Sequence, residues 1–311
     1  MSRLGNQTNI TLSYPNRVDE CDIIHNAAHW SEKLPAKNLH NKVLKKVART
    51  NLGVKTTTIL LNLTTEPRFI GCVALANHNL SVNATIRFRG YYGVNTTGEL
   101  QFDSTPDYRA YPIIYPSDSA HYAWESKDFW LGTISQNERK SYTALATFYA
   151  PLNKLCRSAL IEITDESNPD NYLEIGRVFL GQCIEPEWNP EWGDISQGYV
   201  DLTEVQRAGD NTKYFYVKPK MRTLSCVLKH LSQAEAFSGF YDAQREVGLS
   251  GEMLYAFAKP EYIKDGVTNI NMTVDKNFYA RTFLCNFSEL NPIEMSYVNG
   301  FKTALKLEEI I

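Results

Sequence analysis

The segment Arg68 to Gly93, RFIGCVALANHNLSVNATIRFRGYYG, constrains the fold more than any other part of the chain. From Phe69 to Ala76 nearly every residue is apolar or small, the pattern of a strand covered on both faces. Further on, Ile86 and Phe88 alternate with Arg87 and Arg89, the pattern of a strand with one wet face. The two runs are expected to be neighbouring strands of one β-sandwich. Asn77, Asn79 and Asn83 fall where the chain must reverse, and a short Asn side chain bonds nearby backbone and tolerates left-handed conformations. His78 is expected to cap or bond backbone there.

More strand signals surround this pair. Thr56 to Leu63, TTTILLNL, is β-branched and apolar, and Ser141 to Ala150, SYTALATFYA, alternates. Ala159 to Asp165 and Tyr172 to Gly181 are apolar runs split by ESNPDN, a turn in which Pro169 fixes φ and Asp170 and Asn171 accept the reversal. Many strands, few helical periods and turn-rich connections predict a mainly β chain whose N-terminal part, residues 1 to 195, is a jelly-roll-like sandwich. Residues 1 to 30 show only weak periodicity. His25 and His29 are four apart, but Asn26 stands where a hydrolytic HExxH site has Glu and no third ligand is nearby, so no metal site is expected.

Residues 104 to 132 interrupt the strand pattern with Tyr108, Tyr111, Tyr115, Tyr122, Trp124, Phe129 and Trp130 among prolines and acidic residues. Such an insertion either folds back as cover, forms a subunit interface, or stacks on a sugar. Tyr115, Tyr122, Trp124 and Trp130 are the candidates for an interface or a glycan platform.

Beyond Cys183 to Tyr199, which has two Trp and two Pro and little periodicity, a second unit is expected over 196 to 311. Lys213 to Val217 and Thr223 to Leu231 read as strands. Ser232 and Glu235 have capping-box spacing, predicting a helix from about 233 to 247 that stops at Gly248. In the last segment Phe301, Thr303, Leu305 and Leu307 alternate with Lys302, Lys306 and Glu308. This unit should be a small antiparallel sheet with one helix packed on it.

The totals set limits. A chain of 311 residues suits two domains and buries a core without disulfides or a structural metal. Its formal charge of −3 argues against a nucleic-acid binder that relies on general phosphate attraction. The cluster Lys33, Lys37, Lys42, Lys45, Lys46 and Arg49 reads as a solvated face or a contact with an acidic neighbour. No run is long enough to span a membrane, the N-terminus MSRLGNQTNITL lacks a signal core, and a soluble protein made in the cytoplasm is expected. The dispersed cysteines form no CxxC pair and should mostly be buried thiols; sequons such as Asn62, Asn79 and Asn83 reflect Asn and Thr content.

Four separated pieces, LPAKNL with the later ART, FIGCVALANHNLSVNATIRFRG, DFWLG and CRSALIEITDESNPDNYLEIGRVFLG, together resemble a family of bacteriophage tail-tip or baseplate proteins. The resemblance covers about residues 30 to 183 and is looser past Tyr199. It implies that the N-terminal half is a discoidin or galactose-binding-like sandwich. It further implies a structural virion protein at the tail tip, made in the host bacterial cytoplasm. Such a protein would form a homo-oligomeric ring or hub, trimer or hexamer, joined to other tail and hub proteins. No sugar, calcium or other cofactor residue is carried over.

The leading expectation is therefore a non-enzymatic tail-tip component. The alternative is a carbohydrate-binding module for host-surface glycans, with Trp124 or Trp130 as the stacking platform. No carboxylate pair, GxSxG frame or Gly-rich phosphate loop organises a catalytic site, so no catalytic residue is expected.

Overall fold

The computed structural model describes residues 9–105, 108–112, 124–125, 132, 134–191, 193–257, 259, 261–262, 272–273, 277–298 and 300–311. The chain divides into two compact units, Met1–Glu185 with Leu254–Phe283, and Pro186–Met253 with Leu284–Ile311. The crossing thus falls at 185/186 where the sequence suggested 195/196. The first unit also takes back a later segment, because Leu254 to Phe257 pair antiparallel with Ile10 to Ser13.

The first unit begins with β1 (Ile10–Tyr14), β2 (Cys21–His25), β3 (Ala48–Arg49), β4 (Thr56–Leu63) and β5 (Arg68–His78). It continues through β6 (Thr85–Tyr91), β7 (Leu100–Asp103), β8 (Leu145–Cys156), β9 (Ser158–Thr164) and β10 (Glu174–Ile184). One sheet has the order β1-β10-β5-β8, with β3 on the end of β10; the other has the order β2-β4-β9-β6-β7. The pairs are antiparallel. The chain is mainly β, as expected.

The burial patterns of β5 and β6 are those expected, nearly continuous in β5 and strictly alternating in β6. Their placement is different. They are not neighbours within a sheet: β5 lies between β10 and β8, while β6 lies between β9 and β7, so the turn after His78 carries the chain across the sandwich. The same holds for β9 and β10. Both crossovers are tied together. Asn79 donates to Asp170 Oδ2 and to the Tyr172 carbonyl, both at 3.0 Å, and accepts from the Glu174 N–H at 2.8 Å. Buried Asp165 accepts from Ser81 N–H at 2.7 Å, Ser81 Oγ at 2.6 Å and Asn168 Nδ2 at 3.1 Å. Asn77 and Asn171 take positive φ of 54° and 58°, the use for which Asn suits these turns. Between the sheets, Phe88 of β6 stacks on Phe148 of β8 with centroids 5.9 Å apart. Burying such a ring contributes about 1.5–3 kcal/mol.

The later strands are β11 (Ile195–Asp201), β12 (Glu204–Arg207), β13 (Lys213–Tyr216), β14 (Lys220–Leu231) and β15 (Met253–Phe257). After them come β16 (Glu261–Tyr262), β17 (Met272–Thr273), β18 (Thr282–Glu289), β19 (Glu294–Tyr297) and β20 (Gly300–Glu309). In the second unit β11, β14, β20 and β18 lie side by side, and β19 adds to β20. Ser232 and Glu235 form the capping box, Ser232 N–H donating to Glu235 Oε2 at 2.8 Å and Glu235 N–H to Ser232 Oγ at 3.3 Å. The helical segment that follows is a π-helical stretch, Glu235–Tyr241, continued by an α-helix, Asp242–Val247, with Gly248 at φ 56°. On β20 the alternation is as read and runs on to Glu309, which is buried in phase with Phe301 to Leu307 and paired with Arg222.

Candidate interaction surface

The aromatic insertion begins as cover. Tyr108 and Tyr111 are buried; Tyr108 sets its edge against Phe88 and Phe148 and donates its hydroxyl to the Thr147 carbonyl. Tyr111 packs edge-on to His78, with centroids 5.5 Å apart, and lies under the Arg139 guanidinium at 5.2 Å. His78 Nδ1 accepts from the Leu80 N–H at 3.3 Å, the backbone role expected of it. Burial, reinforced by the charge of Arg139, pushes the His78 pKa down to about 3. Of the four candidates, Tyr115, Tyr122 and Trp130 lie outside the described residues; Trp124 is described and is 67 % exposed.

The other candidates from sequence resolve into structural roles. His25 ends β2 and His29 closes a short 3-10 turn, so the two do not share a helical face. Among the described residues no three His, Cys, Asp or Glu side chains gather as metal ligands. Lys33, Lys37, Lys42, Lys45 and Lys46 are exposed, while Arg49 pairs with Glu174 at 2.7 Å and lies over the Tyr172 ring. Five cysteines are buried and Cys183 is half-buried, all as free thiols.

Several apolar residues of the second unit are exposed, Tyr199, Phe215, Tyr216, Met295 and Val298 among them. All seven residues of β11 are exposed, and β11 pairs with β14 alone among the described strands, leaving its other edge open. Beyond it, β12 and β13 pair only with each other and every residue of both is exposed. On β19 and just after it, Met295, Tyr297 and Val298 are exposed, Val298 by 85 %. The run KYFYV has the residue pattern of a strand, and that pattern alone does not mark the exposure of both its faces.

The rim of the Met295 patch is fixed by polar groups. His230, at φ 62° where β14 loses register between Leu228 and Leu231, reaches Tyr297 Oη at 3.0 Å and Glu191 Oε1 at 2.9 Å. Lys229 pairs with Glu191 at 3.0 Å and Asp194 at 2.6 Å. Hydrogen bonds from His230 and Lys229 hold the Glu191 carboxyl below its usual range. The side chains of His230 and Glu191 are 49 % and 51 % exposed, so water screens these contacts.

No family model and no curated protein matches the chain. Among solved structures, chitosan-binding module 1 derived from a chitosanase/glucanase of Paenibacillus sp. IK-5 is similar over 54 % of this chain and 98 % of its own, at 9 % identity and a TM-score of 0.35. The family 32 carbohydrate-binding module of Clostridium perfringens NanJ, solved with galactose, is similar over 55 % and 98 %, at 11 % identity and a TM-score of 0.34. Reduced XRCC1 bound to the DNA polymerase β catalytic domain gives 55 % and 99 %, 13 % identity and 0.33. At these identities and TM-scores the likenesses assign no ligand, activity or partner to this chain. The tail-tip expectation rests on the sequence resemblance alone.

Proposed function

We propose that the protein is a non-enzymatic assembly component, whose first unit is a rigid scaffold and whose second unit is the contact surface. The observation that supports this most is the open edge of β11 with Tyr199 and Val200 exposed on it, together with Met295 and Val298. An unpaired edge beside exposed apolar groups is a liability in a solitary protein and a docking surface in an assembled one. The bacteriophage tail tip implied by the sequence resemblance is the specific assembly put forward, with copies of this chain as the first partner. Sedimentation of the full chain over a range of concentrations tests the reading. A defined oligomer supports it, and a strict monomer at every concentration contradicts it.

A second reading has one observation behind it. Trp124 presents a large ring to solvent on the insertion, as a sugar-stacking platform would. Glycan-array binding that disappears in Trp124→Ala would favour host-surface glycan recognition; an array without signal would remove it.

A further inference from the structure

The β12–β13 hairpin is an arm whose every residue is exposed, and its one ring contact among the described residues is Lys218 Nζ over Tyr216, 5.7 Å from the centroid. Asp201 opposite Lys220 is the last pair of β11 with β14, and Glu204 opposite Tyr216 is the first pair of the hairpin, so it continues that ribbon outward. From Asp201 to the turn at Ala208, a strand rising ~3.3 Å per residue reaches about 20 Å. Val205 and Phe215 share one face; Tyr214 and Tyr216 share the other. Phe215 is 60 % exposed and Tyr216 68 %.

The arm is also firmly built. At its tip Ala208 N–H donates to the Thr212 carbonyl at 2.9 Å, Asn211 takes φ 68°, and Arg207 donates to Asn211 Oδ1 at 3.1 Å. At its base Glu204 pairs with Lys218, and Thr203 N–H donates to Asp201 Oδ1 at 2.9 Å. An isolated two-stranded hairpin is marginal in water, and apolar side chains on both of its faces gain nothing there. Both faces need a cover.

We propose that residues Glu204–Tyr216 clasp a second copy of this chain and that two copies exchange arms reciprocally. The proposal rests on the assembly reading and names its contact. Area selects the occupant. Three rings of about 150–250 Å² each, roughly three-fifths exposed, with Val205 and Val217 give an arm about 500 Å² to bury. A stable interface takes about 800 Å² from each partner. One arm laid on an unrelated partner falls short. A copy that both gives an arm and receives one buries about twice that contribution, which reaches the required size and makes the contact isologous, the closed pair from which a hexamer, and not a trimer, is built.

The test uses the full chain in two forms. In one, a benzophenone amino acid replaces Phe215; irradiation is expected to yield a covalent dimer of the chain, with the second attachment outside residues 204–216 of the donor copy. In the other, Phe215→Asp with Tyr216→Ser is expected to weaken self-association at least tenfold while circular dichroism and melting temperature stay at the wild-type values. An oligomer unchanged in the double variant, or photoadducts only within one chain, overturns the arm exchange and leaves the assembly reading standing. A wild-type chain that is monomeric at every concentration overturns both. Photoadducts formed only with another protein or with a glycan would assign the arm to that occupant and overturn the exchange.

Discussion

Arg222 and Glu309 meet in a buried, two-pronged ion pair that fastens β14 to the end of β20. Arg222 Nε donates to Glu309 Oε2 at 2.7 Å, a second guanidinium nitrogen reaches Oε1, and the Arg222 N–H adds a bond at 3.1 Å. The two side chains are 3 % and 4 % exposed. A pair of this kind costs much to desolvate and much more to break on one side only. Glu309→Ala is therefore expected to destabilise the second unit by roughly 3–5 kcal/mol, and Arg222→Met with Glu309→Leu by clearly less. Urea denaturation followed by tryptophan fluorescence checks the order; equal losses would assign the cost to packing.

His78 makes the first unit acid-sensitive. Its ordinary pKa of 6.5 falls to about 3 in the fold, so the unfolded chain takes up a proton first as pH drops. The stability it contributes is fully present above about pH 6.5 and is lost progressively as pH falls towards 3. The full span is on the order of 5 kcal/mol. His78→Asn keeps an acceptor for the Leu80 N–H and should flatten the stability profile between those limits. A variant with the wild-type slope would show that carboxylates account for the acid loss.

The buried thiols should resist modification. Burial is the leading cause that pushes Cys21, Cys156 and Cys226 up to about 12, so little thiolate exists near pH 8. Mass spectrometry after brief iodoacetamide treatment should find Cys183, half-buried and 3.1 Å from Ser13 Oγ, alkylated before these three. Rapid labelling of Cys21 in folded protein would contradict this account.

Asp165 joins the two crossovers, so its loss should be felt across the sandwich. Asp165→Ala leaves Ser81 and Asn168 without their shared acceptor and should cost roughly 1.5–3 kcal/mol by thermal or chemical denaturation. An effect under about 0.5 kcal/mol would mean water replaces the carboxylate, as at ordinary surface sites.

Much of the local structure was legible from residue patterns. The full burial of β5, the alternation of β6, the Asn turns and the Ser232–Glu235 cap all express short-range chemistry. The partners of β5 and β6 were not legible, because which sheet a strand joins is decided by contacts with β10, β8, β9 and β7 far along the chain. The full burial of β1 was not legible either: ITLSY alternates apolar residues with Thr11 and Ser13, the pattern of a strand with one wet face, yet all five residues are buried. The exposure of the arm was not legible, because Lys213 to Tyr216 has the composition of a covered strand and composition carries no record of what covers it. Asn62 and Asn79, which read as sequons, are instead structural, Asn62 bonding Asn95 and Asn79 bonding the crossover turn.

The most direct measurement is hydrogen–deuterium exchange of residues 204–216 in the full chain at high and at low protein concentration. The clasp of residues 204–216 by a second copy predicts strong protection of these amides when the protein is concentrated and exchange within seconds when it is dilute. Rapid exchange at every concentration, with the core of β14 and β20 still protected, would contradict it.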